Sequence, residues 1–245
     1  MEVYQLIRKG EIHKDFCEDF LLSFELGENY SVYGVFDGCS TGVDSHMASA
    51  LTAKVVKAEM ECLPPEQETS LRAFMSSAIY NSMSTLRNIR NDLLLETSEL
   101  LTTIVLVVID KTSNTAEALV IGDGFLSING QSINIEQDNA PDYLAYHLDE
   151  LENIDDFEMW LTKHSNRYVI DKVLDVSIAT DGIGSFKVAD ASIETNGLPV
   201  PSDFLAKNNF LLHNKSMLAR KFNLLRTQHR LVNQDDLAMI RIIRT

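Results

Sequence analysis

VYGVFDG, Val32–Gly38, is the stretch on which the reading of this chain turns. An apolar, β-branched and aromatic run that stops at Asp-Gly is a buried strand entering a turn. The GEN turn at Gly27–Asn29 separates it from DFLLSFEL (19–26), so the two runs predict an antiparallel hairpin. Further acids border apolar runs in the same way: Asp123 in EALVIGDG, Asp181 in VSIATDG, and Asp235-Asp236 opening QDDLAMIRII. With Glu18-Asp19 ahead of the first strand, these acids are expected to converge on the end of a sheet. One Asp-Gly alone is an ordinary turn, because Asp accepts local hydrogen bonds and Gly tolerates positive φ. Several carboxylates bordering interior strands are costly unless paired, and no matching group of Lys or Arg accompanies them. A hard divalent cation is the economical partner.

Composition bounds the alternatives. The 245 residues are 45% hydrophobic, 8% aromatic and 23% charged, the balance of a globular chain with a sizeable core. No linker or repeat divides them, so residues 1–245 are expected to form one domain. A net charge of −15 repels nucleic acid, and the single basic run, RKFNLLRTQHR (220–230), reads as a helix end. The start, MEVYQLIRKGEIHK, lacks the pattern of a secretory signal, and the longest apolar run, LLTTIVLVVI (100–109), is too short to span a bilayer. Three cysteines, Cys17, Cys39 and Cys62, show no paired spacing and suit a reducing compartment. A cytoplasmic monomer with no membrane or nucleic-acid partner is expected.

The periodicity sets out the order of elements. VYQLI reads as a strand, and Ser45 to Met60 turns helical, with Met47, Ala48, Leu51, Val55, Val56 and Met60 on one stripe. CLPPEQ breaks it, and Pro65 starts a longer helix running to about Leu95. The methionines on its stripe read as core filler. LTTIVLVVID and NTAEALVIGD form a pair joined at KTSN, and FLSI and SINI form another across Asn129-Gly130. Ala140 to Ile170 reads as helical and acidic, LDVSIATDG as a buried strand, and 184–201 as a loop. Asp203 to about Leu225 reads as a helix, and DDLAMIRIIRT as the closing strand. Strands joined by short turns favour antiparallel pairing, so the fold class is α+β.

The chemistry available is that of oxygen ligands. Carboxylates, a carbonyl freed at a Gly turn, and water suit Mg²⁺ or Mn²⁺. Two such ions about 4 Å apart share a bridging water, lower its pKa and aim it at phosphorus. The six histidines are scattered, with no HExxH and no CxxC pair, so zinc chemistry finds no support. No Gly-rich phosphate cradle and no GxSxG elbow is present.

The ordered set CED (17–19), VYGVFDG (32–38), LLTT (100–103), IGDG (121–124), ATDG (179–182) and QDDLAMI (234–240) resembles the metal-dependent serine/threonine protein phosphatases of type 2C, the PPM family. The resemblance spans nearly the whole chain. It implies a two-sheet antiparallel β-sandwich flanked by helices (α-β-β-α), with two metals, Mn²⁺ or Mg²⁺, at one end. It further implies hydrolysis of phosphoserine or phosphothreonine in a phosphoprotein substrate. By position, Asp37 would bridge both metals, the Gly38 carbonyl would bind one, and Asp181 and Asp235 would complete the site. Glu18 and Asp19 would act mainly through metal-bound waters, and Asp123 would help hold a third, weaker metal.

The chain departs from the family pattern at three positions. Lys14 stands where the family has the Arg that grips substrate phosphate, and lysine lacks the bidentate fork. Cys39 stands where Asp-Gly-His-Gly supplies a His proposed as general acid, a loss that typically costs about 10²–10⁴-fold. Asp236 replaces the usual Asn. No metal ligand is lost, so a working but atypical phosphatase is expected. The alternative is a pseudophosphatase that binds a phosphoprotein without turnover. Cys39 is either a small side chain packed behind the turn or an oxidation-sensitive group, with Cys17 near it if both motifs reach the site. Of the histidines, only His13 and His46 are expected near the site, each as a surface or helix residue rather than a replacement acid.

Overall fold

The hairpin read from VYGVFDG is present in the computed structural model, which describes residues 1–42, 46–137, 141–151, 153–190 and 197–244. After β1 (Glu2–Arg8), β2 (Asp19–Leu26) pairs antiparallel with β3 (Tyr30–Gly38), placing Asp19 directly opposite Asp37. Two helices follow, α1 (His46–Cys62) and α2 (Leu71–Leu93). Ser45, where the first was expected to begin, lies outside the described residues. Pro65 opens a separate 3-10 turn (Pro65–Gln67), and α2 starts later, where the Ser70 side chain accepts the Ala73 N–H.

β4 (Thr102–Asp110), β5 (Thr115–Ile121), β6 (Gly124–Ile128) and β7 (Gln131–Ile135) are the two expected hairpin pairs. The segment expected to be helical from Ala140 to Ile170 differs; residues 140 and 152 in it lie outside the described set. It holds a short 3-10 turn (Leu144–His147), then α3 (Ile154–His164), then a strand, β8 (Ser165–Ile170). The Asn153 side chain caps α3 by accepting the Asp156 N–H. After Ser165, the residues NRYVI extend along β5, where pairing outweighs the acidic helix-forming pattern before them.

β9 (Asp175–Ala179) precedes β10 (Phe186–Val188), which pairs with β11 (Leu231–Asn233) inside a stretch expected to be loop. Residues 191–196 of that stretch lie outside the described ones. The helix expected over Asp203–Leu225 is two: α4 (Pro201–Ala206) and α5 (Met217–Thr227). Between them Leu211 and His213 take left-handed φ values of 64° and 67°, which no helix accommodates. β12 (Leu237–Ile243) closes the chain.

The strands form two five-stranded antiparallel sheets, β1-β12-β9-β6-β7 and β2-β3-β4-β5-β8. Period-two alternation builds three apolar layers from them. Val35, Val105, Val107, Ile178, Ala238 and Ile240 fill the space between the sheets. Val32, Phe36, Ile104 and Leu106 face the other way, onto α1, α2 and α3. On the outer face of the other sheet, Leu237, Met239 and Ile243 meet α4 and α5. This is the α-β-β-α layering expected. β4 is buried along both faces, which is why TTIVLVVI is continuously apolar.

Candidate active site

The alternation that fills the inter-sheet core also delivers the acids. Along β3, Tyr33 and Val35 point between the sheets, and Asp37 is the next residue of that phase. On β2 the same phase runs from Leu21 to Asp19, and on β12 from Ala238 to Asp236. Asp181 lies just past the end of β9, Asp235 just before β12, and Asp123 in the β5–β6 turn. The backbone around these turns is tightly packed. A Cβ on Gly182 would sit 1.7 Å from the Asp236 carbonyl oxygen, and one on Gly10 would sit 2.3 Å from the Asp235 carbonyl carbon. Only glycine permits either approach.

The resulting cluster has a floor and a mouth. Asp19 and Asp236 are buried, Asp37, Asp123 and Asp235 are half-buried, and Asp181 is exposed. Burial, then repulsion from Asp19, Asp181 and Asp235, drives the Asp37 carboxyl well above the usual carboxylate range. Asp19 is raised by burial and by the charges of Asp236 and Asp181, although the Thr180 hydroxyl donates to its Oδ2 at 2.7 Å. Asp181 is raised by desolvation and then by Asp235, and Asp123 is pushed to about 6 by desolvation and by Asp181. Among the described residues no Lys, Arg or His forms an ion pair with Asp19, Asp37, Asp123 or Asp181.

Asp235 and Asp236 have a partner that sequence reasoning did not assign. The His13 ring, mostly buried, places Nε2 2.8 Å from Asp235 Oδ1 and Nδ1 3.4 Å from Asp236 Oδ2 and 3.6 Å from Glu18 Oε2. His13 is therefore part of the site rather than a surface residue. Asp236 also finds its reason here. Its two oxygens accept the backbone N–H of Gly10 at 2.7 Å and of Glu18 at 2.5 Å, stapling both ends of the β1–β2 loop. An asparagine has only one acceptor oxygen to offer these two donors.

The remaining sequence-selected residues are placed as follows. Glu18 accepts the Ser40 hydroxyl at 2.5 Å and lines a cleft with His13 and Lys14. Lys14 is exposed on the wall of that cleft. Gly38 ends β3 with its N–H donating to the Glu18 carbonyl at 3.1 Å. Cys39 packs against the apolar layer under α1 and α2, with Sγ 3.2 Å from Thr41 Oγ1. The hydroxyl of buried Tyr143 adjoins Cys39 and lies near Asp37 and Asp123, and no spacing in the sequence signals that. Burial and the charges of Asp19 and Asp236 push the Cys17 thiol up, which opposes a reactive thiolate there. The Cys17 thiol faces these acids, whereas Cys39 has Thr41 and Tyr143 beside it.

The residues fit a hard divalent cation. Asp19 Oδ1 is a buried acceptor with no hydrogen-bond partner among the described residues. Oxygen donors dominate around it, as Mg²⁺ and Mn²⁺ prefer. Among the described residues no three His, Cys, Asp or Glu side chains meet around a single point. The acids instead approach pairwise, Asp37 with Asp19 and with Asp181. This closeness adds to burial in raising their pKa values. No helix among the described residues is long and apolar enough to cross a membrane.

Comparison with known proteins agrees with this architecture. The serine/threonine phosphatase Stp1 from Staphylococcus aureus superposes with a TM-score of 0.65 at 14% identity, covering 100% of this chain and 95% of that one. RsbX in complex with magnesium gives 0.53 at 16% identity over 98% of this chain and 92% of that one. The phosphatase domain and regulatory fragment of SpoIIE from Bacillus subtilis give 0.55 at 16% identity over 98% of this chain, which spans only 63% of that structure. Among curated proteins, no sequence matches this chain. At such identities the structures speak for the fold alone; the sequence profile described as Protein phosphatase 2C matches residues 8–237, and the chain therefore belongs to the protein phosphatase 2C family.

Proposed function

We propose that residues 1–245 act as one metal-dependent phosphatase domain that hydrolyses phosphoserine or phosphothreonine in phosphoproteins. The observation that carries this reading is the cluster of acids around Asp19 and Asp37, which no Lys, Arg or His pairs among the described residues, with Asp19 Oδ1 a buried acceptor without a partner there. Asp37, the Gly38 carbonyl, Asp181 and Asp235 would hold two Mn²⁺ or Mg²⁺ ions, with Glu18 and Asp19 behind them and Asp123 serving a third. When bound, such ions supply a bridging water of lowered pKa and neutralise charge on the phosphoryl oxygens.

The protein's own groups set the rest. His13 fixes the orientation of Asp235 through the 2.8 Å contact, and Thr180 fixes Asp19. Lys14, on the cleft wall, contributes a positive charge towards the phosphate without a bidentate grip. Cys39, turned into the apolar layer, leaves the leaving-group oxygen to be protonated by solvent, so aryl phosphates with good leaving groups should be the best substrates. The same feature favours a second reading, a phosphoprotein-binding pseudophosphatase.

The deciding experiment is p-nitrophenyl phosphate cleavage against Mn²⁺ and Mg²⁺ concentration. Turnover should need the metal and fall by at least about 10²–10³-fold in Asp37→Asn and Asp181→Asn. Full activity in EDTA or in either variant overturns the reading. Tight phosphopeptide binding with no phosphate released under either metal establishes the second reading instead.

A further inference from the structure

Two clefts flank the acid cluster, and their walls differ in chemistry. One, of about 380 Å³, is lined by the polar side chains of Asp123, Asn134, Glu136, Gln137 and Asp181. The other, of about 540 Å³, is lined by Glu18, Ser40, His13 and Lys14 but also by the rings of Phe16 and His46. These two rings come from separate segments, the β1–β2 loop and the first residue of α1. They stack with centroids 4.1 Å apart and planes 14° from parallel. Phe16 is 58% exposed, and Ile12 on the same cleft is 62% exposed. The loop that carries both is tied at each end to Asp236, through Gly10 and Glu18, so the ring face is held in a fixed place.

An apolar lip of this kind, on a chain of net charge −15, stands out against its surroundings and borders the cleft that holds Lys14. We propose that the Phe16–His46 ring pair is a substrate subsite that receives an apolar or aromatic side chain flanking the phosphorylated residue. The inference rests on the phosphatase-fold reading, since it takes the phosphate to lie over the acid cluster beside Glu18 and Lys14. With the phosphate there, the chain on one side of it must cross the Phe16 wall. The other cleft is lined by acids, amides, a serine and a glycine, with no apolar or aromatic side chain to match, which assigns the apolar contact to this side. A side chain laid on a stacked ring pair loses its own hydration and gains an offset aromatic contact. The β1–β2 loop would thus select among phosphoproteins without touching the reacting atoms.

The test uses pairs of phosphoserine peptides made with a non-hydrolysable phosphonate, one carrying Phe and its twin carrying Gly, at each of the three positions on either side. Dissociation constants are measured by fluorescence anisotropy with Mn²⁺ present. Wild type should prefer Phe by roughly ten-fold at positions on one side only. In Phe16→Ala, and separately in His46→Ala, that ratio should fall towards one, while any binding of the Gly peptides serves as the internal reference. Equal affinity for every pair in wild type, or a Phe preference that survives both substitutions, overturns the proposal. Metal-dependent p-nitrophenyl phosphate turnover, run in parallel on wild type, separates failure of this subsite from failure of the phosphatase reading.

Discussion

Two groups of buried charge sit on different faces of the β1-β12-β9-β6-β7 sheet, and they are built on opposite principles. On the outer face, Arg241 of β12 is fully buried beneath α4 and α5. Its guanidinium grips Asp175 through Nε at 3.0 Å and Nη2 at 2.6 Å. The remaining N–H groups reach the carbonyls of Leu205, Lys207 and Asn208 and the side chain of Asn209. At the end of the inner face, Asp19, Asp37, Asp123, Asp181 and their neighbours crowd together with raised pKa values and no Lys or Arg pairing among the described residues. The first network is closed by the chain itself and holds α4 and the 207–209 segment to the sheet. The second is left open, and an open network of like charges is the signature of a ligand of opposite charge. The same strand, β12, begins beside the one and carries the other at Arg241.

The sharpest way to break the comparison is to open the closed network. Arg241→Ala leaves Asp175 without its cation and strips the donors from three carbonyls, so it should cost about 3–5 kcal/mol of folding stability, read as a lowered denaturation midpoint. The cost should be the same with and without Mn²⁺. A loss below about 1 kcal/mol would mean that the buried guanidinium is not what anchors α4.

The open network makes a prediction of opposite sign. Its carboxyls have folded-state pKa values above their unfolded values near 4, so the folded chain binds more protons than the unfolded one. Metal-free protein should therefore hold this contribution in full below about pH 4 and lose it as pH rises through the folded values, about 6 for Asp123, with Asp37 raised as well. Mn²⁺ or Mg²⁺ binds the ionised acids, so its stabilisation should grow over the same range, reaching about 2.7 kcal/mol at a hundred times the dissociation constant. Thermal melts in EDTA and in metal at pH 5 and pH 8 measure both arms. A metal effect that is absent, or equal at the two pH values, would show that these acids are not the ligands.

The contrast also explains what was legible in the sequence. Strand-end acids are local patterns, because period two fixes the direction of Asp37 once Val35 is known to face inward, and so the open cluster could be read from VYGVFDG and its companions. The parts that were missed depend on distant chain. His13 meets Asp235 across more than two hundred residues; its place beside Lys14 puts it near the site, but nothing in GEIHKD marks that pairing. Asp236 looks like a lapse from the usual Asn until Gly10 and Glu18 are seen to donate to it. Tyr143 lay within a stretch whose acids read as one helix, although that stretch holds a 3-10 turn, α3 and the strand β8. The break between α4 and α5 follows from carbonyls collected by Arg241, a residue that from sequence alone is one more member of an apolar strand.

The smallest effect tests where the closed network ends. Lys221 of α5 is fully buried, donates from Nζ to the Asn208 carbonyl, and lies 5.6 Å from the Phe204 ring centroid. Desolvation, and then the charge of Arg241, lower its pKa to about 8. The folded value lies below the unfolded value of about 10.4, so the unfolded chain binds the extra proton between those limits. The penalty for keeping Lys221 charged is thus complete below about pH 8 and is relieved as pH rises towards 10.4. Lys221→Met removes the charged Nζ and keeps the rest of the chain's length, and the Asn208 carbonyl still accepts from Arg241 at 2.6 Å. The variant should match or slightly exceed wild-type stability at pH 7, within about 1 kcal/mol. Wild type should close that gap at pH 10, so the difference between the two, read from urea midpoints, should shrink as pH rises. A loss of about 3 kcal/mol at pH 7 would instead make the ammonium a working member of the Arg241 network, because only a charge whose hydrogen bonds outweigh its desolvation is missed when an apolar chain of similar shape replaces it.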